Sequence, residues 1–132
     1  MQSEFRSSAV IACAAMVLAL GALPAKADLP GDEIKKLVSG KRVFLSVPLG
    51  GEFPLRYNPN GVVAGSGDGV GLGKFMQPTD AGRWWVADNK LCQQWKSWYD
   101  GKTFCFTITK TGPNTIAWKR DDGYAGTARI TN

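Results

Sequence analysis

Leu91-Cys92-Gln93-Gln94-Trp95-Lys96-Ser97-Trp98-Tyr99-Asp100-Gly101-Lys102-Thr103-Phe104-Cys105-Phe106-Thr107-Ile108 is the stretch that decides the fold. Two runs of alternating residues flank a turn signal at Trp98-Tyr99-Asp100-Gly101, the pattern of a β-hairpin with one dry face and one wet face. Leu91, Gln93 and Trp95 share a face with Phe104, Phe106 and Ile108. Cys92, Gln94 and Lys96 share the other with Thr103, Cys105, Thr107 and Thr109. The first set is apolar and is expected to face an interior. Gln93 is its odd polar member, expected to hydrogen-bond to neighbouring backbone, with lining of a cavity as the alternative.

The rhythm continues on both sides. After Thr111-Gly112-Pro113-Asn114, residues 115–120 add Ile116 and Trp118 to the inner face, and after Asp121-Asp122-Gly123 residues 124–131 end the chain as a last strand. Upstream, residues 83–87 lead to the turn Asp88-Asn89-Lys90, and the hairpin's first strand extends over 91–98. Residues 41–49 alternate, with Val43, Leu45, Val47 and Leu49 on one face; residues 52–57 and 61–66 follow, separated by Asn58-Pro59-Asn60-Gly61. Turn signals recurring at this spacing favour an antiparallel meander over a parallel sheet. The expected class is therefore mainly β, a small barrel of about eight strands that closes and abolishes its own edges, with a β-sandwich as the alternative. Residues 30–39 read as one short N-terminal helix: Asp28 or Asp32 can cap it, Ile34, Leu37 and Val38 form its apolar stripe, and Gly40 stops it.

The chain has 132 residues, and its first 27 read as a secretory leader. Arg6 precedes an apolar run over 9–23, Pro24 breaks it, and Ala25-Lys26-Ala27 places small residues where a signal peptidase reads, so residues 1–27 are expected to be removed before Asp28. The apolar run is shorter than the roughly 20 residues that span a bilayer. Val10-Ile11-Ala12-Cys13 only loosely matches a lipid-acceptor site, because the apolar run continues past Cys13. Residues 28–132 then form a single domain, about 100 residues with one modest core. The predicted location is the periplasm or the exterior, with no stable membrane insertion after cleavage.

Of the three cysteines, Cys92 and Cys105 survive cleavage. An even pair in an exported domain reads as a disulfide, with two free thiols as the rival. A turn centred on Asp100-Gly101 does not set the two opposite each other, so a bulge or a longer loop is required. The chain lacks histidine, and with no third cysteine left after cleavage neither a metal site nor any other cofactor is expected. Net charge is +5, from scattered Lys and Arg with only short pairs such as Lys119-Arg120. Such an excess is ordinary solvation, and nucleic acid is not an expected partner.

Catalytic chemistry finds no footing. Ser39, Ser46, Ser66 and Ser97 have no recognisable activating partner, and the aspartates sit in turns, where they serve the backbone. Gly65-Ser66-Gly67-Asp68-Gly69-Val70-Gly71-Leu72-Gly73 fits neither a dinucleotide fingerprint nor a P-loop, and reads as a flexible rim or a plain linker. Five tryptophans invite a pocket. Trp95 and Trp118 are expected in the core. Trp84 and Trp85 must diverge to opposite faces, and Trp98 is a candidate for contact with a partner.

The run Gly82-Arg83-Trp84 … Leu91-Cys92-Gln93-Gln94-Trp95 … Cys105-Phe106 resembles a Gly-x-Trp … Leu-Cys-x-x-Trp … Cys core found in a family of small exported proteobacterial β-barrels, similar in layout to lipocalin-like barrels. The resemblance implies fold and export and carries over no functional residues. The leading functional expectation is a binding module and not an enzyme, for a small apolar or aromatic ligand, with Gln93, Trp95, Phe104, Phe106 and Trp118 as candidate ligand-binding residues. Any pocket is expected to be small and near the glycine-rich end. The alternative is a protein-interaction or inhibitor module of the cell envelope, with an exposed patch at Trp98-Tyr99. A small hydrolase or isomerase ranks last. Amino-terminal sequencing of the exported protein is expected to begin at Asp28; an intact Met1 on a membrane-bound chain would refute the leader.

Overall fold

The computed structural model describes residues 27–48, 50–67 and 78–132. Residues 1–26, where the leader is expected, Leu49 and residues 68–77 lie outside the described residues, and with them most of the glycine-rich stretch. The helix α1 spans Gly31–Val38, and eight strands follow: β1 Lys41–Ser46, β2 Glu52–Tyr57, β3 Val62–Ser66, β4 Thr79–Ala87, β5 Lys90–Trp95, β6 Thr103–Lys110, β7 Thr115–Arg120 and β8 Ala125–Thr131. They pair in chain order as antiparallel neighbours, and β8 pairs back onto β1, giving one closed barrel. The expected barrel is therefore the observed fold, and the sandwich alternative is not.

Closure is made by Arg42, Val43, Phe44 and Leu45 opposite Thr131, Ile130, Arg129 and Ala128. Val43, Ala128 and Ile130 are buried there. Outside the seam, Arg129 crosses β1 to hold Glu52 of β2 with two hydrogen bonds of 3.0 and 2.7 Å, its guanidinium carbon 4.3 Å from the centre of the Phe44 ring. That hydrogen bond holds the Glu52 carboxyl below its ordinary value. An exposed ion pair of this kind adds little stability, so the apolar seam does most of the closing.

The helix lies at the end of the barrel where β1 begins, β2 ends and β4 turns into β5. Ile34 and Val38 have no exposed surface, and Leu37 packs against the same core. At about 1.5 Å per residue, eight residues reach about 12 Å, enough to lie across one end of a small barrel. Neither Asp28 nor Asp32 caps it. The position before the helix is Pro30, whose ring carries no hydrogen-bond acceptor, and the Gly31 amide instead donates to Asn89 Oδ1 of the β4–β5 turn at 2.8 Å. Asp28 is drawn away by β6, pairing with Thr109 through backbone and side chain, while the Leu29 amide donates to the Ile108 carbonyl. At the other end Gly40, at φ +76°, turns so that its amide donates to the Tyr57 carbonyl at 2.7 Å. Both ends of the plug are thus tied to strands.

Strand ends differ from the sequence reading where turns intervene. β1 stops at Ser46, ahead of Val47; β3 starts at Val62; β4 begins early, at Thr79; β8 starts at Ala125. β5 stops at Trp95 instead of Trp98, because Ser97 and Trp98 are pulled out of the ladder and a 3-10 turn forms over Trp98–Gly101. This longer loop resolves the cysteine register. Cys92 and Cys105 stand directly opposite, their Cα atoms 4.0 Å apart, joined as a disulfide on the outer parity of β5 and β6. At Gly82, in the Gly-x-Trp step, β5 backbone leaves no room for a side chain: a Cβ there would strike the Gln94 carbonyl oxygen and sit 2.8 Å from the Trp95 Cα.

The disulfide spans 13 residues of chain. Closing a loop of that size removes denatured-state freedom equivalent to about 3 kcal/mol. Replacing both cysteines by alanine is expected to lower the unfolding free energy by about 2–3 kcal/mol in a denaturant titration, with an m-value that rises as the unfolded chain loses its cross-link. A loss near zero would mean the hairpin holds its register without the bridge.

Candidate functional site

Alternation, closure and the plug together build a cavity of about 550 Å³ inside the barrel. Its wall takes the inward positions of successive strands: Val43 and Leu45; Phe53, Leu55 and Tyr57; Leu91, Gln93 and Trp95; Phe104, Phe106 and Ile108; Ile116, Trp118 and Arg120. All five candidate residues, Gln93, Trp95, Phe104, Phe106 and Trp118, are brought together there. The end beneath α1 is solid. Trp84 is buried inward, edge-on to Tyr57 with ring centres 5.7 Å apart, and its indole N–H donates to the Asn58 carbonyl at 2.8 Å. Trp85, its neighbour, takes the outward position and is half-buried.

Among the described residues, the far end opens between the β1–β2, β5–β6 and β7–β8 turns, where Ser46, Tyr99, Tyr124 and Thr127 are exposed rim residues. The β3–β4 connection, which carries the glycine-rich stretch, leaves from this same end. The cavity is larger than the sequence suggested. Its volume sits within the roughly 300–1,000 Å³ range of small-molecule sites. The reason is geometric: the wall aromatics meet edge to face, Phe106 with Trp118 at 5.5 Å and Phe53 with Trp98 at 5.3 Å. They tile the wall instead of filling the middle.

Gln93 is both a lining residue and a hydrogen-bonding one, yet its partner is not backbone. Its Oε1 accepts from the Tyr57 hydroxyl at 2.6 Å, across the barrel from β2 to β5. Tyr57 is 3% exposed, and burial pushes its phenol well above the ordinary value, so it stays protonated and donating. The Gln93 amide nitrogen donates to no other group among the described residues. Trp118 carries a second unmet donor, but its indole nitrogen is shielded from the cavity space.

Trp98 is not the exposed contact that the sequence suggested. It is 3% exposed, 4.7 Å from Trp95 between ring centres, and it crosses to β3, where a Cβ on Gly65 would come within 2.8 Å of its ring. Leu55 Cδ2 would be equally close, at 2.8 Å, so the Trp98 ring and Leu55 together leave room only for glycine at position 65. The Asp80 carboxylate fixes the turn by accepting the amides of Ser97 and Trp98, both at 2.8 Å. Of the expected Trp98-Tyr99 patch only Tyr99 is exposed, at 50%, and Tyr124 faces solvent at 66%.

Between those two tyrosines lies Arg120, which the sequence reading did not single out. The signal was present: Ile116 and Trp118 set the inward parity of β7, and Arg120 continues it. Its guanidinium carbon is 4.3 Å from the Phe104 ring centre, 4.6 Å from Tyr124 and 5.6 Å from Tyr99. Its Nε and Nη2 donate to the two Asp122 oxygens at 2.7 and 2.8 Å. The pair holds the Asp122 carboxyl below its ordinary value and Arg120 above.

A closed antiparallel barrel plugged at one end and hollow at the other, with an aromatic wall, is the class of structure defined here. Searches against protein-family models, curated proteins and solved structures find no match to this chain.

Tyr57 provides a test of the inner polar pair. Tyr57→Phe is expected to cost about 1–2 kcal/mol, the lost hydrogen bond and a less satisfied amide oxygen. The raised phenol also sets a pH dependence. The unfolded chain releases the proton above its ordinary value of 10.0 while the folded one keeps it, so this contribution is full below that pH and is lost as pH rises beyond it. Stability measured from pH 8 to about 12 is expected to fall less steeply in the phenylalanine variant; equal slopes would refute the assignment.

Proposed function

We propose that this protein is an exported binding module that holds a small apolar or aromatic molecule inside its barrel. The observation that carries the reading is the cavity: about 550 Å³, walled by aromatic and aliphatic side chains, sealed at one end and open at the other. A chain selected only for stability gains by filling such space, because unfilled volume costs packing energy. A few placed polar groups in an apolar wall are the usual composition of a ligand site. Gln93, Trp95, Phe104, Phe106 and Trp118 form the proposed contact surface.

Binding, and not catalysis, is supported by how the acids are used. Asp80 and Asp121 accept main-chain amides, and Asp122 is held by Arg120. The disulfide and the leader-like amino terminus support export to the periplasm or beyond. A second reading, an envelope protein-interaction or inhibitor module, draws on Tyr99 and Tyr124, exposed on either side of Arg120.

The test uses N-phenyl-1-naphthylamine, a neutral probe that brightens in apolar surroundings. Saturable brightening with the folded protein is expected. Phe106→Trp, which fills cavity space, is expected to weaken it about tenfold while thermal unfolding shows the variant still folded. No brightening, or equal affinity in the folded variant, would sink the cavity reading and leave the protein-interaction one in front.

A further inference from the structure

We propose that the cavity takes an amphipathic acid, its apolar body against the aromatic wall and its single carboxylate at the mouth on the free edge of Arg120. This rests on the cavity reading above and adds the ligand's class and direction of entry.

The wall is one-sided in its chemistry. Among the described lining residues Arg120 is the one charged side chain, and neither Asp nor Glu is present. At the two inward polar side chains, Gln93 and Arg120, the capacity left unspent by protein contacts is donor capacity, and the rim hydroxyls of Tyr99 and Tyr124 beside them can donate as well as accept. Gln93 commits its oxygen to Tyr57 and keeps its amide N–H groups. Arg120 commits Nε and Nη2 to Asp122, and its Nη1 donates to no other group among the described residues. Such a surface favours acceptors and anions, and disfavours amines and cations, which would meet unpaired donors in an apolar site.

Arg120 is also held as a receptor group would be. Its side chain is 14% exposed, against 39% for Asp122. Phe104 and Tyr124 hold its guanidinium carbon within 4.3 and 4.6 Å of their ring centres and Asp122 fixes its rotation, so the Nη1 edge is oriented before anything binds. A planar, pre-oriented guanidinium recognises a carboxylate through paired N–H donors, which a lysine at this position would not. The site has a polar mouth and an apolar depth, and the buried end under α1 offers a carboxylate no cationic partner. The acid therefore enters tail first.

Decanoate, 1-decanol and decylamine, kept below their aggregation concentrations, can compete for bound N-phenyl-1-naphthylamine at pH 7. Decanoate is expected to displace the probe at a concentration about tenfold or more below the other two, the scale of a charge-assisted hydrogen bond. Arg120→Met, which keeps the apolar stem, is expected to bring decanoate up to the level of decanol. Asp122→Asn, which removes the neighbouring negative charge, is expected to tighten decanoate several-fold and leave decanol unchanged. The second variant tests the proposal even if the first fails to fold. Equal displacement by decanoate and decanol, or a preference for decylamine, overturns the acid while probe binding keeps the cavity reading intact. Failure of the probe itself to bind overturns both.

Discussion

The rest of the structure depends on the pairing of β1 with β8. Four residue pairs at this seam turn an eight-strand meander into a closed wall. Without it, the chain would be an open sheet with two unsatisfied edges and an aromatic face exposed to water. With it, every inward side chain from Val43 to Ile130 points into one shared space. Closure at eight strands also sets the scale of that space: wide enough to be filled by side chains or to hold one small ligand.

Which of those two outcomes holds is decided separately at each end. At one end α1 contributes Ile34 and Val38, and Trp84 and Tyr57 meet edge-on, so the core is filled. Toward the other end the same aromatic content is spent on the wall. Edge-to-face contacts keep each ring near its own strand, and the axis stays open. Trp98 belongs to this arrangement: a loop residue drawn inward by Asp80 and seated over Gly65, it narrows the opening from one side.

The polar groups of the interior follow a division of labour. Tyr57 and Gln93 satisfy each other deep in the barrel, with the phenol kept protonated by burial. Arg120 stands at the rim, where aromatic faces and Asp122 compensate its charge without consuming its whole donor set. The proposed site would discriminate by the charge of what it admits as much as by shape, because Arg120 is the one charged side chain among the described lining residues.

By itself the sequence determined the elements and their faces. Alternation in 91–95, 103–110 and 115–120 placed Leu91, Gln93, Trp95, Phe104, Phe106, Ile108, Ile116 and Trp118 on one side, and all line the cavity. It did so because a strand's side chains alternate with a period of two whatever the tertiary setting. Only the tertiary structure decided what lies between those faces. Whether rings fill a barrel or line it depends on their mutual angles, and no local pattern encodes those. The same holds for contacts between distant segments: Asn89 capping α1, Asp80 pulling Ser97 and Trp98 out of β5, and Tyr57 meeting Gln93 across the barrel. Trp98 looked like a surface turn residue because turns usually are. It became a buried one because a carboxylate 18 positions earlier accepts its amide and a glycine in β3 leaves room for its ring.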